Sequence, residues 1–268
     1  MGRETTLERL RSFKLRGLID ELELQNRSAQ YLELSFEERL SLLVDAEYTR
    51  RNNSRIQATI KNAKLPNSVS LDDLDFSVSR GIRKGQILEL AQGSWLSAGI
   101  NIIITGQTGV GKTFLGSVIA HSLCLRGCCV KFRSAQQHLL DLKLSDEKQY
   151  LAHAVSGYQK VELLIFDEWL RDSVSVSESR ILLDLLDHRY KKRSCMFISQ
   201  IPVSQWHAKF ADPTMADAIL DRIVHNSIRL ELQGESMRKL MSNVGTLGME
   251  INAQNSTSLR SDNHNKII

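Results

Sequence analysis

The apolar positions of this chain have two textures, which change near residue 65. From Thr5 to Asn26, Leu7, Leu10, Phe13, Leu15, Leu18, Ile19 and Leu22 recur among charges at mostly helical spacing, interrupted by Gly17. This predicts two short helices or one bent one. Ser35 followed by Glu38 is a capping box, and Phe36, Leu40, Leu43 and Val44 carry a second helix toward Ala63, ended by Pro66 and the polar turn after it. A helical N-terminal domain over residues 1–64 is the expectation. Helices this few bury little apolar surface, so the domain should pack on the main domain or on another chain.

Past residue 65, short apolar runs alternate with helical patterns. Asn101–Thr105, Cys129–Phe132, Val161–Phe166, Cys195–Ser199 and Ile228–Leu232 read as strands. Between them fall Gln86–Ala91, Thr113–Leu125, a helix capped by Ser134 with Gln137, one capped by Ser175 with Glu178, and the stretch DAILDRIVH. The fold class is therefore α/β, a parallel sheet flanked by helices over residues 65–240. Asp146–Gly157 reads as a polar helix or loop. Residues 241–268, rich in Asn and Ser, read as a tail with little structure.

Chemistry enters at Gly106–Thr113, which fits Gly-x4-Gly-Lys-Thr between a strand and a helix. In that context Gly106, Gly109 and Gly111 let the backbone curl with its N–H groups inward, and the helix adds its positive end. The cofactor-binding set is Gly106, Gln107, Thr108, Gly109, Val110, Gly111, Lys112, Thr113 and Phe114, for ATP with Mg²⁺. Lys112 would reach the β/γ-phosphates and Thr113 would hold the metal. A second signal is the apolar run ending in Asp167-Glu168. Buried parallel strands place ligands at their carboxyl ends, so Asp167 would hold Mg²⁺ through water and Glu168 would polarise the attacking water. Gln200, at the end of a later strand, can touch the γ-phosphate or that water. Phe76 and Ile82 either wall the base or belong to the core.

Composition changes this picture little. Hydrophobic residues at 42% and charged ones at 25% are ordinary for a soluble globular protein. No run approaches a transmembrane helix and the start is not a signal peptide, so a cytoplasmic location without a membrane partner is expected. The net charge is only +4, which makes location matter more than total. Arg50, Arg51, Arg55, Lys61 and Lys64 fall in a stretch with no acid: a solvated face, or a contact with nucleic-acid phosphates. The four cysteines lack paired metal-ligand spacing and read as buried thiols.

The order P-loop, Asp-Glu, strand ending in Ser-Gln, DRIVH and GESMRK, with the N-terminal phrase ELSFEERLSLLVDAEYTRR, resembles the AAA+ ATPases of the IstB type, and is similar to helicase loaders of the DnaC type. The resemblance covers about residues 5–240. It implies an ATPase that forms a helical or ring-like homo-oligomer on duplex DNA, selects target sites, and recruits or stimulates a cognate transposase. The alternative is a replicative helicase loader. A P-loop small-molecule kinase fits less well, because no Arg-rich lid is found. By resemblance, Lys112, Glu168, Gln200, Arg222 and Arg238 are the catalytic set. Gln200, with Ser199 beside it, is the strand-end sensor. Arg222 is the arginine finger inserted into a neighbouring subunit, unless it pairs with Asp217 or Asp221 on its own helix, and Arg238 is a second sensor. The chain departs from the family's usual pattern at Gln107, Thr108, Val110 and Trp169.

Overall fold

The computed structural model describes residues 2–66, 69–76, 80–143, 157–158 and 160–237. Two short helices open it, α1 (Arg3–Ser12) and α2 (Arg16–Arg27). The break lies at Phe13–Leu15, where Lys14 turns left-handed with φ 58°, and not at Gly17. Gly17 instead sits buried inside α2. A Cβ there would come within 2.7 Å of Glu47 Cα, so the glycine lets two helices cross closely. The partner is α3 (Phe36–Ala63), 28 residues long, opened by the Ser35/Glu38 capping box and closed by Lys64 in the left-handed region.

The end of α3 joins the helical region to the main domain. Ala63 is fully buried in the main core and Ile60 packs against it. Much of the region's apolar surface stays outside: Phe13, Leu32, Phe36 and Tyr48 are 69%, 78%, 74% and 71% exposed.

The main domain is a sheet of β1 (Asn101–Gly106), β2 (Val130–Ser134), β3 (Leu163–Asp167), β4 (Ser194–Ser199) and β5 (Ser227–Leu232). Its order is β2-β3-β4-β1-β5 and every neighbouring pair is parallel. The near-continuous apolar runs follow from this, since strands covered on both faces need both sets of side chains apolar. Ile102, Ile104, Leu163, Ile165, Met196 and Ile198 face one core, with α4 (Lys84–Gln92) and α5 (Lys112–Leu125). Ile103, Leu164, Phe166 and Phe197 face the other, with α6 (Ala135–Lys143), α7 (Val176–Arg189) and α8 (Pro213–Val224).

At the amino ends of the strands the fully buried Arg189 donates to the carbonyls of Tyr158, Val161, Glu162 and Ser194, which fastens β3 to β4. Cys124 and Cys195 are buried as expected, Cys128 is half-buried, and Cys129 is exposed, which the sequence reading did not foresee. Most of Asp146–Gly157, Arg238 and the expected tail lie outside the described residues.

Candidate functional site

The carboxyl ends of β1, β3 and β4 meet on one side of the sheet, and the predicted nucleotide residues meet there. The loop after β1 is held from behind by the chain leaving β5. A Cβ on Gly106 (φ 147°) would strike Leu232 O, and one on Gly109 (φ 84°) would strike Ser236 Oγ. Both positions therefore need glycine for closeness as well as for conformation. Met237 N–H donates to Gly109 O at 2.9 Å.

Lys112 Nζ donates to Gln107 O at 2.8 Å, curling back over the loop. Burial lowers its pKa, and Asp167 pulls it partly back. Thr113 Oγ1 stands 3.2 Å from each oxygen of Asp167, so the first turn of α5 and the end of β3 offer a hydroxyl and a carboxylate side by side. Burial and the neighbouring Glu168 push the Asp167 carboxyl up, against the Glu168 N–H, Thr113 and Lys112. These hard oxygen donors fit Mg²⁺, which keeps waters and is typically bound by one or two carboxylates together with phosphates. Thr113 and Asp167 would hold the ion, which when bound neutralises phosphate charge. No all-protein cage of three or more His, Cys, Asp or Glu occurs among the described residues.

Glu168 sits on a strained turn. It and Leu170 are left-handed, at φ 53° and 57°, a conformation that costs of order 1–3 kcal/mol per residue. The turn is tied to β4 by Trp169 N–H to Ile198 O at 2.8 Å and Ser199 Oγ to Trp169 O at 2.7 Å. Its effect is to raise the half-exposed Glu168 carboxylate off the sheet, where Arg171 Nη1 lies 2.5 Å away. Sequence reading passed over Arg171, although its spacing of three from an acid on a turn was the available signal. The Trp169 indole goes the other way, into the core beside Phe166, Phe197 and Trp206, and does not stand over the acid pair.

Gln200 is exposed and its Oε1 accepts from the Thr108 hydroxyl at 2.5 Å, so the end of β4 reaches the loop through this residue. Ser199 is buried and its hydroxyl is committed to the Trp169 turn. Val110 is buried, while Phe114, Phe76 and Ile82 are half-buried and pack against the core.

Arg222 lies elsewhere. Its carbonyl accepts from Asn101 Nδ2 at 3.1 Å, at the amino end of β1, whereas the loop is at the carboxyl end. Five residues of strand, roughly 16 Å, separate the two. Its guanidinium pairs with Asp187 of α7 and donates to Ala218 O at 2.6 Å, so its partner is neither Asp217 nor Asp221.

Arg50, Arg51, Arg55 and Lys61 of α3 and its C-cap Lys64 do not form one patch. Arg50 joins Arg11, Arg16 and the acid Asp20 around a cleft of about 560 Å³. Arg51 gives its Nε to Glu47 at 2.6 Å, and Arg55 lies against Gly127 of the main domain. Lys61 and Lys64 are exposed at the helix end.

A glycine loop feeding a helix, an Asp-Glu turn and a strand-end glutamine, carried on a parallel sheet of this order, define a P-loop nucleotide-binding domain of the AAA+ fold. Comparison with solved structures agrees. DnaI matches with a TM-score of 0.53 at 20% identity, over 66% of this chain and 94% of that one. AMPPCP-bound DnaA from Aquifex aeolicus matches at 0.52 and 18%, over 65% and 53%. The chain belongs to the family described as IstB-like ATP binding protein, whose model matches residues 8–244. Two relatives in Sinorhizobium fredii, each named a putative insertion sequence ATP-binding protein, are 36% and 33% identical over 240 and 234 residues. They cover 90% and 87% of this chain, which in turn spans 97% and 96% of theirs. The putative ATP-binding protein of insertion sequence IS232 of Bacillus thuringiensis is 32% identical over 77% of this chain and 82% of its own length. No described helix is long and apolar enough to cross a membrane.

Proposed function

We propose that this chain is an ATP-hydrolysing AAA+ protein that assembles on duplex DNA and assists the movement of an insertion sequence, selecting the target site and recruiting or stimulating the cognate transposase. The observation that carries the reading is the separation of Arg222 from its own loop. Lys112, Thr113, Asp167, Glu168 and Gln200 share the carboxyl side of the sheet, while Arg222 is anchored at the amino edge. By the family resemblance Arg222 leaves its own-chain partner Asp187 and serves the site of a neighbouring copy. A finger supplied in trans contributes about 10³ to 10⁵ in rate, so hydrolysis is coupled to assembly.

Within that scheme Lys112 would neutralise phosphate charge, beside the Mg²⁺ that Thr113 and Asp167 would hold, Gln200 would orient the attacking water, and Glu168 would take its proton after leaving Arg171. Arg238, which lies outside the described residues, is the second sensor for phosphate. Arg50, Arg51, Arg55, Lys61 and Lys64, with Arg11 and Arg16, contact DNA phosphates without reading sequence. The names of the relatives support the insertion-sequence context. The protein acts in the cytoplasm.

Retention on duplex DNA against salt tests this. ATP should promote binding, Lys112→Ala should abolish both binding and hydrolysis, and Glu168→Gln should trap DNA-bound oligomers. Absence of DNA affinity with ATP at low salt overturns the reading. Capture of a replicative helicase in place of the transposase would make the protein a loader instead.

A further inference from the structure

Arg80 stands in the segment before α4 and is fixed by the end of β5. Its carbonyl accepts from Gln233 N–H at 3.0 Å. The next residue, Gly81 (φ 74°), lies so close to Glu231 O that a Cβ would be 3.0 Å away. The short run Arg80-Gly81 is thus zipped along β5 where that strand passes behind the loop.

The Arg80 side chain points into the loop. Arg80 is only 8% exposed, Nη2 donates to Met237 Sδ at 2.9 Å, and Nη1 lies 3.6 Å from where a Cβ on Gly111 would be. Met237 is the residue whose N–H holds Gly109. Among the described residues, no carboxylate comes within ion-pair distance of Arg80. A guanidinium is charged at every accessible pH, and a thioether is a weak acceptor. A buried guanidinium whose hydrogen-bond partner among the described residues is a thioether is poorly compensated, whereas one held against an anion is not.

We infer that Arg80 is a further cationic ligand of the bound nucleotide, beside Lys112, acting in cis on its α/β-phosphates. The choice of phosphates follows from position. The glycine-rich backbone cradles the α/β end while the loop lysine reaches the β/γ end, and Arg80 faces Gly111. Arg80 therefore grips what ATP and ADP have in common, and leaves the γ-phosphate to Lys112 and to the groups on β3 and β4. The inference rests on the chain binding ATP in this loop.

The test is titration calorimetry of the full chain with MgATP and MgADP. Arg80→Met is expected to weaken both by a similar factor, about tenfold to a hundredfold, leaving the ATP to ADP preference unchanged. The dependence of ADP affinity on ionic strength should also become shallower, which a merely structural role would not cause. Met237→Leu, which keeps Arg80 and removes its sulfur partner, should bind at least as well as wild type. If Arg80→Met does not fold, Arg80→Gln replaces it with the same expected loss. Wild-type affinity in either Arg80 variant overturns the inference, as does a loss confined to ATP. Wild-type protein that binds neither nucleotide would instead overturn the reading of the loop.

Discussion

Glu47 shows how one side chain can hold the N-terminal helices together. It is buried on α3, and its Oε2 accepts from Gly17 N–H at 2.7 Å and Leu18 N–H at 3.3 Å. Those are the second and third residues of α2, whose own N-cap, Leu15, offers no side-chain acceptor. The carboxylate thus caps a neighbouring helix from outside and meets its positive end. Burial pushes its pKa up, but the Arg51 bond and the two N–H groups outweigh this, and the net shift is downward. A depressed carboxyl stabilises the fold above its unfolded value near 4.5, and the contribution disappears as pH falls through the folded value. Glu47→Ala removes three charge-assisted bonds, one of them to Arg51, and leaves two helix N–H groups without a partner, a loss of about 2–4 kcal/mol. The Arg51 partner is 60% exposed, so Arg51→Ala should cost at most about 1 kcal/mol. Hydrogen exchange at the Gly17 and Leu18 amides reads this directly. Protection should fall roughly 30- to 1000-fold in Glu47→Ala and by less than about tenfold in Arg51→Ala. Equal losses in the two variants would show that the ion pair, and not the cap, is what matters.

Acid should act through His138. Burial drives its pKa down to about 3, with the bond to Ile165 O opposing, so the ring is neutral when folded. A depressed histidine stabilises above 6.5 and loses that stabilisation as pH falls toward 3, at about 1.4 kcal/mol per pH unit. The unfolding free energy of wild type, from urea titration, should therefore fall by about 2 kcal/mol more between pH 6.5 and 5 than that of His138→Gln, and equal falls would refute the assignment. For the split site, Glu168→Gln and Arg222→Ala should each be inactive alone, yet an equimolar mixture should regain measurable ATPase. A mixture as inactive as its parts would argue that Arg222 works only in its own subunit, or not at all.

The motifs legible in the sequence are those whose chemistry is local. Gly106–Thr113 and Asp167-Glu168 each need a fixed spacing within one strand and turn, and the structure sets Thr113 against Asp167 as that chemistry requires. The strands were legible for a related reason, since a parallel sheet covered on both faces leaves unbroken apolar runs. What could not be read are groups whose partners are far away in the chain. Arg80 meets Met237 across 157 residues and Asn101 meets Arg222 across 121, and no spacing rule links such pairs. Arg51 is different: its acidic partner Glu47 lies only one helical turn earlier, at a spacing visible in the sequence.

Gly17 is the sharpest case, because local and tertiary rules predict opposite signs for it. By helix propensity alone, Gly17→Ala should stabilise α2 by about 1 kcal/mol. In the structure the added methyl would lie 2.7 Å from Glu47 Cα and 2.8 Å from Ala46 O, both backbone atoms that no side-chain rotation can move. The helices would have to separate, which stretches the cap from Glu47 to Gly17 N–H at the same point. Overpacking of this kind costs about 1–3 kcal/mol, and loss of the cap adds to it, so the tertiary term exceeds the propensity gain. Gly17→Ala should therefore lower protection of the α2 amides in hydrogen exchange. If it raises their protection, the helix crossing is loose enough to absorb a methyl, and the role given to Glu47 falls with it.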